Sequence, residues 1–131
     1  MDFFSEDMAN VQRAVWYEPE GDVAVSQRPD LSNPEAMAAA LYNSMQSLST
    51  AAKFIWPIPD RGLKKRLHRI KAPTLIVWGE RDGLVPPVYA EEFRSRIRDA
   101  RVAILPKSAH MPMLEEPDAW VSLVTSFLAG G

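Results

Sequence analysis

The 131-residue sequence contains no cysteine, which removes disulfides, thiolate nucleophiles and zinc–thiolate centres from consideration. It also lacks a charge imbalance. Fifteen Lys and Arg stand against 17 Asp and Glu, for a net charge of −2. That balance gives neither nucleic acid nor an acidic membrane surface a reason to bind. No apolar run approaches the roughly 18 residues of a membrane span, and the first residues, MDFFSEDMANVQ, lack a basic stretch followed by an apolar one. Internal repeats and low-complexity segments are absent as well. What remains is an ordinary globular composition, 47% apolar and 24% charged, in a chain long enough for one domain with a real core. The expectation is a soluble, cytoplasmic protein with no nucleic-acid or membrane partner and no cofactor or metal.

The stretch PTLIVWGERDGLVPP, residues 73–87, organises the rest. Thr74, Leu75, Ile76, Val77 and Trp78 form an apolar run closed by Gly79, the pattern of a strand buried on both faces of a parallel sheet. Its C-terminal end turns polar with Glu80, Arg81 and Asp82, then Gly83. In open α/β sheets the chemistry sits beyond the carboxyl ends of the strands, so Asp82 stands where a functional carboxylate is expected. A helix opened by Pro87 should follow to about Arg98, with Phe93 and Ile97 on one face. A second buried strand, residues 101–105, ends at Pro106. Strand, helix and strand within about 30 residues make a βαβ unit, so the two strands should run parallel with a right-handed crossover. The loop after the second strand carries Lys107, Ser108, Ala109 and His110 at the same sheet edge as Asp82. A last helix should run from about Pro117 to Leu128, with Trp120, Val124, Phe127 and Leu128 toward the sheet.

The first part of the chain has little strand character. Ser5 can cap a helix carrying Met8, Val11 and Val15. Residues 17–34 are broken by four prolines and glycines and are expected to be mostly loop. Ser32 and Glu35 have capping-box spacing before a helix from Pro34 to about Phe54. Its Met- and Ala-rich face suits either a core stripe or the lining of an apolar pocket. Residues 56–59, WPIP, read as a linker. GLKKRLHRIKA then suggests a short basic helix with Leu63, Leu67 and Ile70 as its apolar stripe. Its cations mark a solvated side or a phosphate contact, and His68 sits among them as a surface residue.

Asp82 and His110 carry the chemistry. A carboxylate that accepts a bond from one imidazole nitrogen fixes the tautomer and leaves the other nitrogen free to take a proton. Either residue alone fits a bland role as a turn cap or a loop histidine; together, at the ends of adjacent strands, they form an acid–base pair awaiting a nucleophile. The two stretches APTLIVWGERDGLVPP and ARVAILPKSAHMPMLEEPDAW resemble the C-terminal part of the α/β-hydrolase superfamily. There a strand ending W-G-x-x-D carries the triad acid, and a later loop ending G/A-H precedes an E-x-P or E-P. Here these are Trp78-Gly79-Glu80-Arg81-Asp82, then Ala109-His110, then Glu115-Glu116-Pro117. The order nucleophile, acid, histidine belongs to that fold.

The resemblance implies a partial α/β-hydrolase fold: a parallel βαβ unit with flanking helices, strands at about 73–78 and 101–105, preceded by a helical cap. Residues 1–60 would be the cap and residues 61–131 the C-terminal part of the core. Met37, Met45, Phe54 and Trp56 would give the cap an apolar roof over a small apolar carbonyl substrate. No G-x-S-x-G occurs. Ser44, Ser47 and Ser49 fall on the cap helix, and Ser108 is too close to His110 to act as the elbow nucleophile. The nucleophile, the oxyanion motif and the first six strands of the family's sheet would then lie outside this sequence. Such a two-strand sheet should present an unpaired edge, inviting the missing N-terminal half or self-association. Three readings follow. One is a serine hydrolase of an ester, thioester or carbon–carbon bond next to a carbonyl. Another is a dehalogenase- or epoxide-hydrolase-like enzyme using an absent Asp nucleophile. The last is a non-catalytic half-domain acting in binding or assembly.

Overall fold

The computed structural model describes residues 7–55 and 62–130. Two strands, β1 (Thr74–Gly79) and β2 (Ala100–Leu105), pair in parallel, with Thr74 opposite Ala100 and Gly79 opposite Leu105. The helix α4 (Val88–Arg94) makes the crossover, and α5 (Pro112–Glu115) and α6 (Pro117–Leu128) follow β2. Successive strand side chains point to opposite faces. Trp78 meets Phe93 of α4, ring centroids 6.2 Å apart, and Val77 and Trp78 line a cavity with Trp120 of α6. Helices α4 and α6 each pack against both strands, the helical cover that parallel strands call for.

That cover is incomplete. Along β1 only Gly79 is buried and Thr74 through Trp78 are half-buried; on β2, Ile104 is 42% exposed. The apolar run predicts a strand buried on both faces. Among the described residues the sheet has only two strands, so each is an edge strand and neither is walled in laterally.

Ahead of the sheet lie α1 (Met8–Val15), α2 (Asp22–Ser26) and α3 (Pro34–Ile55). Asp7 caps α1, its carboxylate accepting from the Asn10 N–H at 2.7 Å. The cap expected at Ser5 falls on a residue outside the described ones; Asp7 sits at the correct three-residue offset. The five-residue α2 lies where a loop was expected, because one helical turn is too short to show a period. At the start of α3 the capping side chain is Asn33, which accepts from the Glu35 and Ala36 N–H groups at 2.9 and 3.3 Å. Ser32, expected there, is instead held by Asp30, whose carboxylate accepts its N–H and hydroxyl at 2.9 and 2.6 Å. These bonds keep the Asp30 carboxyl below its ordinary pKa. The apolar side of α3 meets solvent: Leu41, Met45 and Phe54 are 57, 71 and 67% exposed.

The basic segment is not a continuous helix. Two 3₁₀ turns, Leu63–Lys65 and Leu67–Arg69, break at Arg66. Of the expected stripe only Leu67 is buried, while Leu63 and Ile70 are exposed. One apolar anchor does not offset the cost of nucleating an α-helix. His68 is exposed, as the sequence predicts.

Candidate active site

Asp82 lies in the turn after β1, its side chain 5% exposed. One carboxylate oxygen, Oδ1, accepts from the Leu84 and Val85 N–H groups at 2.9 and 2.8 Å. A short acidic side chain that turns back on its own backbone in this way is locked without help from elsewhere. The other oxygen, Oδ2, lies 2.9 Å from His110 Nδ1. An ionised carboxylate only accepts, so Nδ1 carries the proton and Nε2 keeps a free lone pair. The imidazole is about one-third exposed. Among the described residues no serine hydroxyl bonds to it. Ser108 is fully buried, its hydroxyl donating to the Leu105 carbonyl at 3.3 Å, and Ser49 donates to carbonyls within α3.

The two loops are stitched together by backbone. Glu80 N–H donates to Leu105 C=O at 2.9 Å, and Arg81 N–H to Ser108 C=O at 3.0 Å. Gly79 is where the loops touch. A Cβ there would lie 2.0 Å from the Ala109 carbonyl oxygen and 2.6 Å from that of Ser108. The backbone φ of Gly79 is not positive, so glycine is needed for space, not for conformation.

Three further groups hold this rim that sequence reasoning missed. The Ala14 and Val15 carbonyls, at the end of α1, accept from the Gly83 and His110 N–H groups at 3.0 and 2.9 Å. Glu115 accepts from the Ala109 N–H at 2.7 Å and the Tyr17 N–H at 2.5 Å. Glu116 accepts from the Lys107 N–H at 2.7 Å. The Glu115-Glu116-Pro117 motif was visible as a pattern without a role. Residues 14–17 carried no local signal, because their partners are about 70 to 100 positions away.

A cavity of about 210 Å³ adjoins the pair, lined by Val77, Trp78, His110, Pro112, Met113 and Trp120 among others. A larger apolar groove of about 740 Å³ lies between α1 and α3. Met37 lines that groove with Met8, Leu31 and Leu41; Met45 and Phe54 are exposed and are not part of its wall. Trp56 lies outside the described residues. No group of three or more His, Asp or Glu arranged to hold a metal occurs among the described residues. Nor, among them, is any helix long and apolar enough to cross a membrane.

The sequence model of the alpha/beta hydrolase fold family matches residues 23–117. The chain belongs to that family. Its small parallel sheet with flanking helices is a partial α/β-hydrolase fold. Over 65 residues it is 34% identical to a pimeloyl-[acyl-carrier protein] methyl ester esterase of Neisseria meningitidis, a match covering 50% of this chain and 25% of that one. A 2-hydroxy-6-oxononadienedioate/2-hydroxy-6-oxononatrienedioate hydrolase of Comamonas testosteroni is 32% identical over 99 residues, 76% of this chain and 32% of its own. A thermophilic esterase of known structure superimposes on 93% of this chain and 44% of its own with a TM-score of 0.69. At 22% identity that likeness speaks for the fold alone. The chain thus spans a quarter to a third of the length of these curated relatives.

Proposed function

We propose that this α/β-hydrolase chain supplies the acid and the base of a serine-type hydrolase acting on an ester, thioester or carbon–carbon bond next to a carbonyl. Asp82 orients His110. The free Nε2 takes the proton of a serine hydroxyl as that oxygen attacks the carbonyl, then returns it to the leaving group. The serine is supplied from outside this sequence, on a strand added to the open edge of β1 by a nucleophile-bearing partner segment. Residues 1–60 serve as the cap over the substrate, with Met37, Met45 and Phe54 contributing its apolar side once that segment is present.

The observation that carries this reading is the 2.9 Å contact between His110 Nδ1 and a buried Asp82 carboxylate whose other oxygen is already occupied by backbone. The similarity to a methyl ester esterase and to a hydrolase of oxo-substituted dienedioates and trienedioates supports hydrolysis at a carbonyl compound over dehalogenation or epoxide opening.

The test is reconstitution. The chain is joined to the N-terminal, nucleophile-bearing part of a related esterase, and hydrolysis of a p-nitrophenyl ester is followed. Activity should appear, vanish in H110A, and fall on the order of 10⁴-fold in D82N, the scale seen when a triad acid loses its charge. Hydrolysis undiminished in H110A would refute the proposal.

A further inference from the structure

We infer that Glu115 is a positioning residue for His110 and, through the same carboxylate, the clasp that ties residues 14–17 to the histidine loop. The inference rests on His110 being the base. Glu115 sits at the end of α5, a single turn that begins two residues after His110. One of its oxygens, Oε2, accepts from the N–H of Ala109, the residue immediately before the histidine, at 2.7 Å. The other, Oε1, accepts from the Tyr17 N–H at 2.5 Å. Bonds from N–H groups to an ionised carboxylate are about twice as strong as neutral ones.

The ribbon that Glu115 captures returns the hold. Val15 C=O accepts the N–H of His110 itself at 2.9 Å, and Ala14 C=O accepts the N–H of Gly83, next to Asp82, at 3.0 Å. The two peptide units flanking Ala109, Ser108–Ala109 and Ala109–His110, are therefore fixed by groups outside their own loop, one directly by Glu115 and one by the ribbon Glu115 retains. The imidazole reaches Asp82 because that backbone is held. Residues 14–17 also lead into α2 and α3, so the helical segment ahead of the sheet is joined to the histidine loop through the Glu115 carboxylate and the Val15 carbonyl.

The geometry demands a carboxylate. Two N–H donors converge on it, and only an ionised acid offers two acceptors and no donor. Glutamine has one acceptor oxygen, and its NH₂ group would face an N–H. Glu116 is the natural control: it holds the same loop, but at Lys107, 2.7 Å away and with no bond to residues 14–17.

The experiment is ¹⁵N NMR of the full chain. In the wild type, the Ala109 and Tyr17 amide protons should exchange with solvent slowly. The His110 ring should show one protonated-type and one unprotonated-type nitrogen. E115Q should speed exchange at both amides together and average the two ring nitrogens. E116Q should move Lys107 alone. An E115Q ring pattern identical to wild type overturns the inference, as does an equal effect of E116Q. Should E115Q fail to fold, the wild type decides: Ala109 and Tyr17 amides that exchange as fast as unbonded loop amides refute the clasp. Failure of the acid–base reading is separate, and shows as a His110 ring pattern indifferent to D82N while the shared amide protection persists.

Discussion

Replacing Gly79 by alanine adds one methyl group at the point where the acid turn and the histidine loop meet. The new Cβ would lie 2.0 Å from the Ala109 carbonyl oxygen, 2.6 Å from the Ser108 carbonyl oxygen and 2.8 Å from the Ala109 carbonyl carbon. All three are backbone atoms, so no rotamer change relieves the clash. Restoring a contact of about 3 Å moves the Ala109 peptide by roughly 1 Å, a displacement that an interior packed at crystal density does not absorb freely. The loop is held by Arg81 N–H to Ser108 C=O at 3.0 Å, His110 N–H to Val15 C=O at 2.9 Å and Ala109 N–H to Glu115 at 2.7 Å. A shift of that size takes at least two of these past hydrogen-bond range. At about 1 kcal/mol for a neutral bond and about 2 for one to a carboxylate, added to some overpacking strain, the cost is about 2–4 kcal/mol. For a domain this small that lowers the thermal midpoint by roughly 10 °C. Circular dichroism melts of G79A and wild type measure it, and the His110 ring ¹⁵N pattern shows whether the imidazole has left Asp82. G83A is the graded comparison, since its Cβ would meet Ala14 Cα at 2.9 Å, a milder clash that should cost about 1–2 kcal/mol. A G79A protein as stable as wild type, or less perturbed than G83A, would show that the glycine is not there for close approach.

Asp82 separates two of its roles by substitution. D82A strands the Leu84 and Val85 N–H groups and should cost about 2–4 kcal/mol in urea titrations, whereas D82N keeps an acceptor for them and should cost about 1; equal losses would refute the turn-locking role of Oδ1. In a p-nitrophenyl ester assay the chain by itself should turn over no faster than its H110A variant, and clear His110-dependent hydrolysis would reveal a nucleophile within these residues. Light scattering should find the mass rising with concentration, because both edges of the described sheet are open. A monodisperse monomer at all concentrations contradicts self-association through that edge.

The parts of the fold legible in the sequence are those whose cause is local. The apolar run of Thr74 to Trp78 fixes β1, the apolar residues of 101–105 fix β2, and the length of chain between them leaves only a helical crossover, hence parallel strands. From that alone Asp82 and His110 were brought to one rim, and they lie 2.9 Å apart. Helix caps were misplaced by a residue or two, Asn33 for Ser32 and Asp7 for Ser5, because several cap-competent side chains stand in a row and only the backbone decides among them. The basic segment failed as a helix because periodicity counts apolar positions without knowing whether a surface exists to receive them. Leu63 and Ile70 have the spacing, but only Leu67 is buried.

What stayed illegible is the machinery that aims the histidine. Gly79 appears in the sequence as the end of a strand, and Glu115 as a letter in a motif; neither announces that it abuts or binds the Ala109 peptide. Nothing near Ala14, Val15 or Tyr17 marks them as partners of groups about 70 to 100 positions downstream. Backbone carbonyls and N–H groups are the same at every residue, so a site positioned by backbone leaves no compositional trace. A titratable pair is advertised by its residue types, while the scaffold that gives the pair its geometry is advertised by shape alone. For that reason substitutions at Gly79 and Glu115, neither of which bonds the Asp82 carboxylate or the His110 ring, are the sharper probes of this site: each alters where the imidazole points while leaving its chemistry intact, and a pair assembled by chance would be indifferent to both.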